Sequence, residues 1–445
     1  MTLLLTAQGW VVARRLLQKN YGSVIEILLG LPLGALINVF AVAVLSLAGI
    51  ELHALSIIGV NIGITLILLI SVQPLHKAKS NNLVEESTIK VHKAIGALSI
   101  VILAATLLYA VSHTILPTFH YDSTTNWNMR SKVSYYNASM VLEDESGLVS
   151  KTNYPFLYHA IQISVNSFSP NWSDKSANGI HFLLTLSMFG AVFHLLSRRG
   201  RSYALTAMAL IVGIPLLTLH AGQSYADITL VGFALLSLAM LIEFRWTNDP
   251  RFVLLSGLFL AACVWTKADG IFFCFIPWLI VIAFLLVRHS GSIGYLRYPV
   301  AYSVVLSFSW PFFAVAKGLS LTPHGSSDVE ILTNIEAVGA FSRALFVSGS
   351  FGIYWYGLLS VLVVAFIGVR RNMIEIDRRY ILTLLWGLIA MAGYMGVYLL
   401  TSNTEYLIIG QSFDRQMLLP ASLLTLSLAY TLIPRHLRLR INTLL

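Results

Sequence analysis

The chain has 445 residues, 57% hydrophobic and only 11% charged, with a mean hydropathy of +0.76. A soluble domain carries about 25% charged residues, so the composition excludes an ordinary soluble protein. The formal charge of +9 invites a nucleic-acid reading, but the cations follow the loops between apolar runs, which makes the charge a topology signal.

Twelve apolar runs are expected to span a bilayer as helices. They lie near 24–49, 54–73, 94–116, 178–197, 203–220, 225–244, 252–266, 269–287, 298–316, 351–369, 380–400 and 416–433. The run 252–266 is short, so it is tilted, broken or re-entrant. No small-residue cleavage site precedes the first run, which is expected to be retained. The spacing predicts an all-α integral membrane protein. Residues 1–93 would hold two N-terminal spans and a cytoplasmic loop, and 94–445 the remaining bundle.

Place the N-terminus in the cytoplasm and alternate the sides. Of the 29 lysines and arginines, eight then fall outside: Arg130, Lys132, Lys151, Lys175, Lys267, Lys317, Arg343 and Arg415. The rest fall inside, as the positive-inside rule requires. They include Lys77, Lys79, Lys90, Arg198, Arg199, Arg370, Arg371, Arg435, Arg438 and Arg440. Two outside segments are long, 117–177 and 317–350. The first is rich in aromatics and carries Glu143-Asp144-Glu145. The second turns amphipathic from Val329 to Phe346, as an interfacial helix would. Loops of such length are usually functional or disordered, and the aromatics favour a folded segment.

Chemistry-bearing residues gather at the outer ends of spans. Asp122 follows the third run. A carboxylate there can act as a general base on an acceptor hydroxyl, can hold a divalent cation, or can be a solvated loop residue. Trp127, Arg130 and Lys132 follow; outer-leaflet cations suit a phosphate or pyrophosphate group, and a tryptophan interface anchor with solvated cations is the plainer alternative. Asp227, in Tyr225-Ala226-Asp227, is also explained by the helix dipole. Lys267, in Trp265-Thr266-Lys267-Ala268-Asp269-Gly270, pairs with Asp269 or faces a polar cavity. Arg415 stands on the outer side, paired with Asp414 or an anion. His120, His159 and His181 are candidates for proton transfer, more simply read as polar loop residues. Cys263 and Cys274 read as small buried hydrophobes, and the histidines lack metal-ligand spacing.

The order Asp122, Trp127, Arg130, Lys132, then Tyr154-Pro155, resembles the first-loop signature of bacterial GT-C glycosyltransferases. The likeness is to those related to family 39 protein mannosyltransferases and to Rgt-type lipopolysaccharide core transferases. Tyr225-Ala226-Asp227, Trp265-Thr266-Lys267-Ala268-Asp269-Gly270 and Ser412-Phe413-Asp414-Arg415 are similar to three further motifs of that group. Arg130 stands where a lysine is usual, and Asn153 where an aspartate is common. The likeness runs from about residue 95 to the C-terminus.

The resemblance implies an inverting membrane transferase with a GT-C-like bundle and a large first outer loop carrying short interfacial helices. Its donor would be a polyprenyl-phosphate monosaccharide. Its acceptor would be a lipid-linked glycan, lipopolysaccharide, polysaccharide or protein. Asp122 would be the base, with Lys132, Lys267 and Arg415 contacting the donor phosphate and Trp127, Arg130, Tyr154, Asp227, Asp269 and Asp414 completing the substrate site. A divalent cation is the sole candidate cofactor, and no nucleic acid is involved. The site would face outward from a bacterial inner membrane, with both termini cytoplasmic. The competing reading is a transporter or flippase for lipid-linked sugars, which would show inverted repeats; none is visible. A scaffold without chemistry is the third reading.

Overall fold

The computed structural model describes residues 1–17, 21–71, 91–143, 147–149, 151–288, 293–321, 335–401, 403–410 and 412–434. Lys77, Lys79, Lys90, Asp144, Glu145, Val329, Arg435, Arg438 and Arg440 lie outside the described residues.

The bundle starts with α1 (Thr2–Leu17), α2 (Ser23–Ala48) and α3 (Ala54–Ser71). Glycines bring α1 and α2 together, as small residues do where lipid offers no hydrophobic drive. A Cβ on Gly9 would stand 1.9 Å from the Gly30 carbonyl oxygen, and one on Gly34 2.0 Å from that of Leu5. The sequence reading places no helix before residue 24; α1 is an addition. Asn38 of α2 is fully buried and accepts from Asn61 of α3 (3.1 Å) and from Ser164 (3.0 Å). A polar contact of this kind binds apolar helices side by side.

The chain continues through α4 (Lys93–Thr114), α5 (Asn128–Tyr136), α6 (Leu157–Asn166), α7 (Asp174–Leu196), α8 (Arg201–Val212), α9 (Pro215–Gly222) and α10 (Ala226–Thr247). Then follow α11 (Pro250–Thr266), α12 (Ile276–Arg288), α13 (Ile293–Ala316), α14 (Ile335–Phe346), α15 (Tyr354–Arg370), α16 (Ile381–Leu400), α17 (Thr404–Ile408) and α18 (Phe413–Thr431). Each expected span coincides with a helix or a helix pair. Among the described residues six helices are long and apolar enough to cross a bilayer alone. The run 203–220 is the pair α8–α9, bent by 81°, because Pro215 has no N–H to continue the ladder and Ile214 before it is extended. The amphipathic stretch before Phe346 forms α14, whose Phe341 ring meets Phe413 of α18 at 4.9 Å.

Helix α10 is the centre: its whole apolar window is buried, between α7, α11 and α18. Its 22 residues span about 33 Å, the thickness of a bilayer core. At its C-terminal end Asn248 takes the left-handed conformation (φ 55°), and Asp249 then caps α11 by accepting from the Arg251 amide at 3.0 Å. Arg198 pairs with Glu243 at 2.6 Å, and Arg199 donates to the Tyr430 carbonyl at 2.7 Å. At the same end β1 (Ile374–Ile376) and β2 (Leu432–Pro434) pair antiparallel, the only strands among the described residues. Loops assigned to one side by charge therefore do meet at one end of α10. Asp227 opens the other end.

Candidate active site

The described residues of the first long loop are folded, and hydrogen bonds explain how. Pro117 stops α4 from continuing. A π-helical turn, Ser123–Trp127, then runs into α5; such turns recur at functional sites. Ser123 donates to the Ser224 carbonyl at 2.7 Å, and Asn128 to Thr118 and Asp174, both at 2.9 Å. Gln162 of α6 donates to Ser224 at 2.9 Å. These bonds tie the turn to the α9–α10 corner. They hold Asp122, one residue before the turn, over the N-terminus of α10.

Trp127 is buried, with its ring stacked on Tyr154 (5.6 Å) and on His159 (5.7 Å). Arg130 is fully buried and donates to the carbonyls of Val141 (3.0 Å) and Tyr154 (2.8 Å). Two of its guanidinium nitrogens thus close the loop. Tyr154 sits where the Lys151–Tyr154 turn delivers it, and Lys151 itself takes φ 57°, an uncommon conformation for a non-glycine residue.

Lys267 comes from the corner after α11. Gly270 lets that corner fold back, since a Cβ there would stand 2.4 Å from the Cys263 carbonyl oxygen. The Lys267 Nζ lies 2.8 Å from Asp227 and 2.9 Å from Asp269. Burial alone would pull this amine down, but the two carboxylates overcome it and hold the amine above the ordinary lysine value. Tyr394 donates to Asp269 at 3.3 Å. Arg415, in the first turn of α18, pairs with Asp122 across 293 residues of sequence and covers the Tyr225 ring at 5.7 Å. Ser412, just before that helix, takes φ 60° and meets the Tyr398 hydroxyl at 2.5 Å.

These side chains surround one cavity of about 680 Å³. Three acids, Asp122, Asp227 and Asp269, and three bases, Lys151, Lys267 and Arg415, form its polar part. Phe272, Phe273, Tyr394, Val397, Tyr398 and Tyr406 form an aromatic and apolar wall, and Phe272 is 54% exposed on the bundle surface. Among the described residues Lys151 makes no ion pair; its amine lies 5.6 Å from the Tyr154 ring. Burial pulls that amine below the usual lysine value. Asn126, Trp127, Asp227 and Gln416 line the cavity, and each keeps a buried polar atom without a protein partner.

Asp122, Trp127, Tyr154, Asp227, Lys267, Asp269 and Arg415 thus come together. Arg130 and Lys132 do not line the cavity, and Lys132 is exposed. Asp414 also lies apart: it accepts from Ser350 and Ser348, pinning the segment before α15 to α18. His159 backs Trp127, and His181 donates to the His220 carbonyl at 2.9 Å, both buried. His120 lies 3.4 Å from the Tyr225 hydroxyl. Lys151, Asn126 and Gln416 are lining residues the motifs did not mark; the scarcity of outside cations was the signal for Lys151. No group of three or more metal-ligating side chains occurs among the described residues.

No protein-family model matches the chain, and no curated protein is significantly similar to it. Two solved structures share its fold. ArnT from Cupriavidus metallidurans in the apo state is 13% identical, with a TM-score of 0.53 over 76% of this chain and 60% of that one. The same protein bound to undecaprenyl phosphate is 14% identical, with a TM-score of 0.51 over 74% and 59%. The chain therefore shares the fold of ArnT, a polytopic bundle of apolar helices, and it spans about 60% of the length of these structures.

Proposed function

We propose that this chain is a membrane glycosyltransferase. It takes a monosaccharide from a polyprenyl-phosphate donor and passes it, with inversion, to an acceptor hydroxyl at the outer face of the membrane. One observation carries this reading: a single cavity joins three carboxylates, three cations and an aromatic wall whose Phe272 is exposed on the bundle surface. Support comes also from the fold shared with ArnT, of which one structure holds undecaprenyl phosphate.

The chemistry follows from the charges. The prenyl chain lies along the wall of Phe272, Phe273 and Val397, and its phosphate reaches the cations. Arg415 is held by Asp122 before the donor arrives. An incoming phosphate competes for that guanidinium and leaves the Asp122 carboxylate free to act. Asp122 then takes the proton of the acceptor hydroxyl, whose oxygen bonds to the anomeric carbon as the sugar–phosphate bond breaks. The phosphate keeps the electron pair, and Arg415 and Lys151 stabilise its charge. Lys267 is committed to Asp227 and Asp269, so it fixes these carboxylates rather than gripping phosphate. The unpartnered atoms of Asn126, Trp127, Asp227 and Gln416 suit sugar hydroxyls, since buried polar groups call for partners. No step needs a metal, although Asp227 and Asp269 are carboxylates that could accept one if Lys267 withdrew.

The test is Asp122→Asn in purified protein reconstituted with a polyprenyl-phosphate sugar and a membrane-lipid acceptor extract. Transfer should fall by about 10² to 10⁴, the usual contribution of a positioned base, while undecaprenyl phosphate still binds. Near-normal transfer by the variant would remove Asp122 from the mechanism.

A further inference from the structure

A transferase that joins two membrane-borne molecules needs two berths, and the large cavity supplies one. A second hollow of about 290 Å³ lies between α4, α7 and the bent pair α8–α9. Leu107, Phe182, Leu186, Phe189, Phe193 and Leu217 wall it, and none of them lines the large cavity. The hollow opens on the apolar surface of the bundle. The apolar window of α4 has a mean hydropathy of 2.4, yet only 11% of it is buried within the protein. Leu107 and Leu186 are 44% and 47% exposed.

One end of the hollow reaches the contact between α4 and α9. Ala110 and Ala221 line it, and there α4 and α9 touch: a Cβ on Gly222 would stand 2.6 Å from both the Ala110 carbonyl oxygen and the His113 Cβ. From this corner a run of neighbouring rings leads on. Tyr109 meets His113 at 4.1 Å, His113 meets Phe119 at 5.8 Å, Phe119 meets His120 at 5.2 Å, and His120 meets Tyr225 at 5.8 Å. Gln223 fastens the corner, donating to the His113 carbonyl at 3.0 Å and accepting from the Phe119 amide at 3.2 Å. Tyr109 and Phe119 are about half exposed. The run ends under Arg415, the partner of Asp122. Apolar hollow and ring path meet at the Ala110–Gly222–His113 contact, and apart from Asp122 and Arg415 no residue of either belongs to the large cavity.

A chain-sized apolar slot that leads to half-exposed aromatic faces fits a molecule with an apolar chain and a sugar head, because the C–H faces of sugar rings pack on aromatic faces. We infer that hollow and rings together are the acceptor berth, and that the acceptor is a glycan carried on a lipid: its chain lies between α4, α7 and α8–α9, and its sugar rests on Phe119 and Tyr109. The inference rests on the reading of Asp122 as the centre of transfer. A phospholipid lodged by chance would use the hollow and ignore the rings; a protein acceptor would need neither.

The experiment uses the full chain in nanodiscs of phosphatidylethanolamine and phosphatidylglycerol, with two tracers carrying a diazirine in the alkyl chain: dodecyl maltoside and a free fatty acid. After photolysis, labelled peptides are mapped. Maltoside label should concentrate on α4 and α7, fall roughly tenfold in Phe119→Ala and in Leu186→Trp, and persist in excess undecaprenyl phosphate. The fatty acid should be indifferent to Phe119→Ala. Loss of label to undecaprenyl phosphate would make the hollow a donor berth and overturn the inference. So would label spread evenly over the lipid-facing α13 and α15, or wild-type labelling in both variants. A failure of the enzymatic reading shows separately, as normal transfer by Asp122→Asn.

Discussion

Replacing Lys267 by methionine is the sharpest test of how the site is held together. The amine lies 2.8 Å from Asp227 and 2.9 Å from Asp269, and the lysine is about 9% exposed. At an effective dielectric of about 20, one such pair has a gross Coulomb attraction of about 6 kcal/mol, most of it offset by the cost of taking three charges out of water. Breaking a buried pair on one side is a different matter, because a desolvated charge is left behind; the usual cost is about 3–5 kcal/mol. Lys267→Met strands two neighbouring carboxylates, so the loss should reach that range. With the specific unfolding entropy of globular proteins, this is about 4 °C in melting temperature for a chain of this length. Thermal unfolding in nanodiscs, followed by tryptophan fluorescence, measures it. The sign with pH is also fixed. The folded amine is raised above its unfolded value, so its contribution is complete below about pH 10 and is lost only above that. The wild type should therefore be flat from neutral to mildly alkaline pH. The variant should recover as the pH falls toward about 5, where a proton can stand in for the missing amine. Adding Asp227→Asn and Asp269→Asn should restore stability, since a neutral hydrogen-bonded replacement of a whole buried cluster is often harmless. A single variant as stable as the wild type, or a neutral triple variant no better than the single one, would refute the reasoning.

Two further outcomes follow from the geometry. Lys151→Gln should weaken binding of undecaprenyl phosphate by roughly tenfold, read by quenching or calorimetry, whereas the exposed Lys132→Gln should leave it unchanged; the reverse ranking would put the phosphate elsewhere. Gly34→Val should lower thermal stability by at least about 1–3 kcal/mol through overpacking, because its Cβ would stand 2.0 Å from the Leu5 carbonyl oxygen. Gly59→Val, which faces open space on α3, is the control, and equal melting of the two variants would mean that the α1–α2 contact is dispensable.

Particular residues show where sequence reasoning reached its limit. The rarity of cations on one side singled out Lys267 and Arg415, because a bilayer protein keeps few outside without reason. Arg130 and Lys132 shared that property and are nevertheless outside the cavity: Arg130 turns inward to two carbonyls, and Lys132 faces solvent. Neighbours two residues apart on a helix point in different directions, and spacing does not say which direction is the site. Asp414 and Arg415 separate for the same reason. Arg415 finds its carboxylate 293 residues away rather than beside it.

Hydropathy and charge asymmetry, read along the chain, determined the class of molecule, the position of its helices and the end of the bundle where acids and bases collect. Those signals are local, because each span must satisfy its own backbone in lipid and each loop its own side. The tertiary structure alone decided which charges meet, that Lys151 completes the cavity, that α1 joins the bundle, and that a second, apolar hollow lies between α4, α7 and the pair α8–α9. Such facts depend on helix contacts and buried hydrogen bonds between residues far apart in sequence, and no local pattern records them.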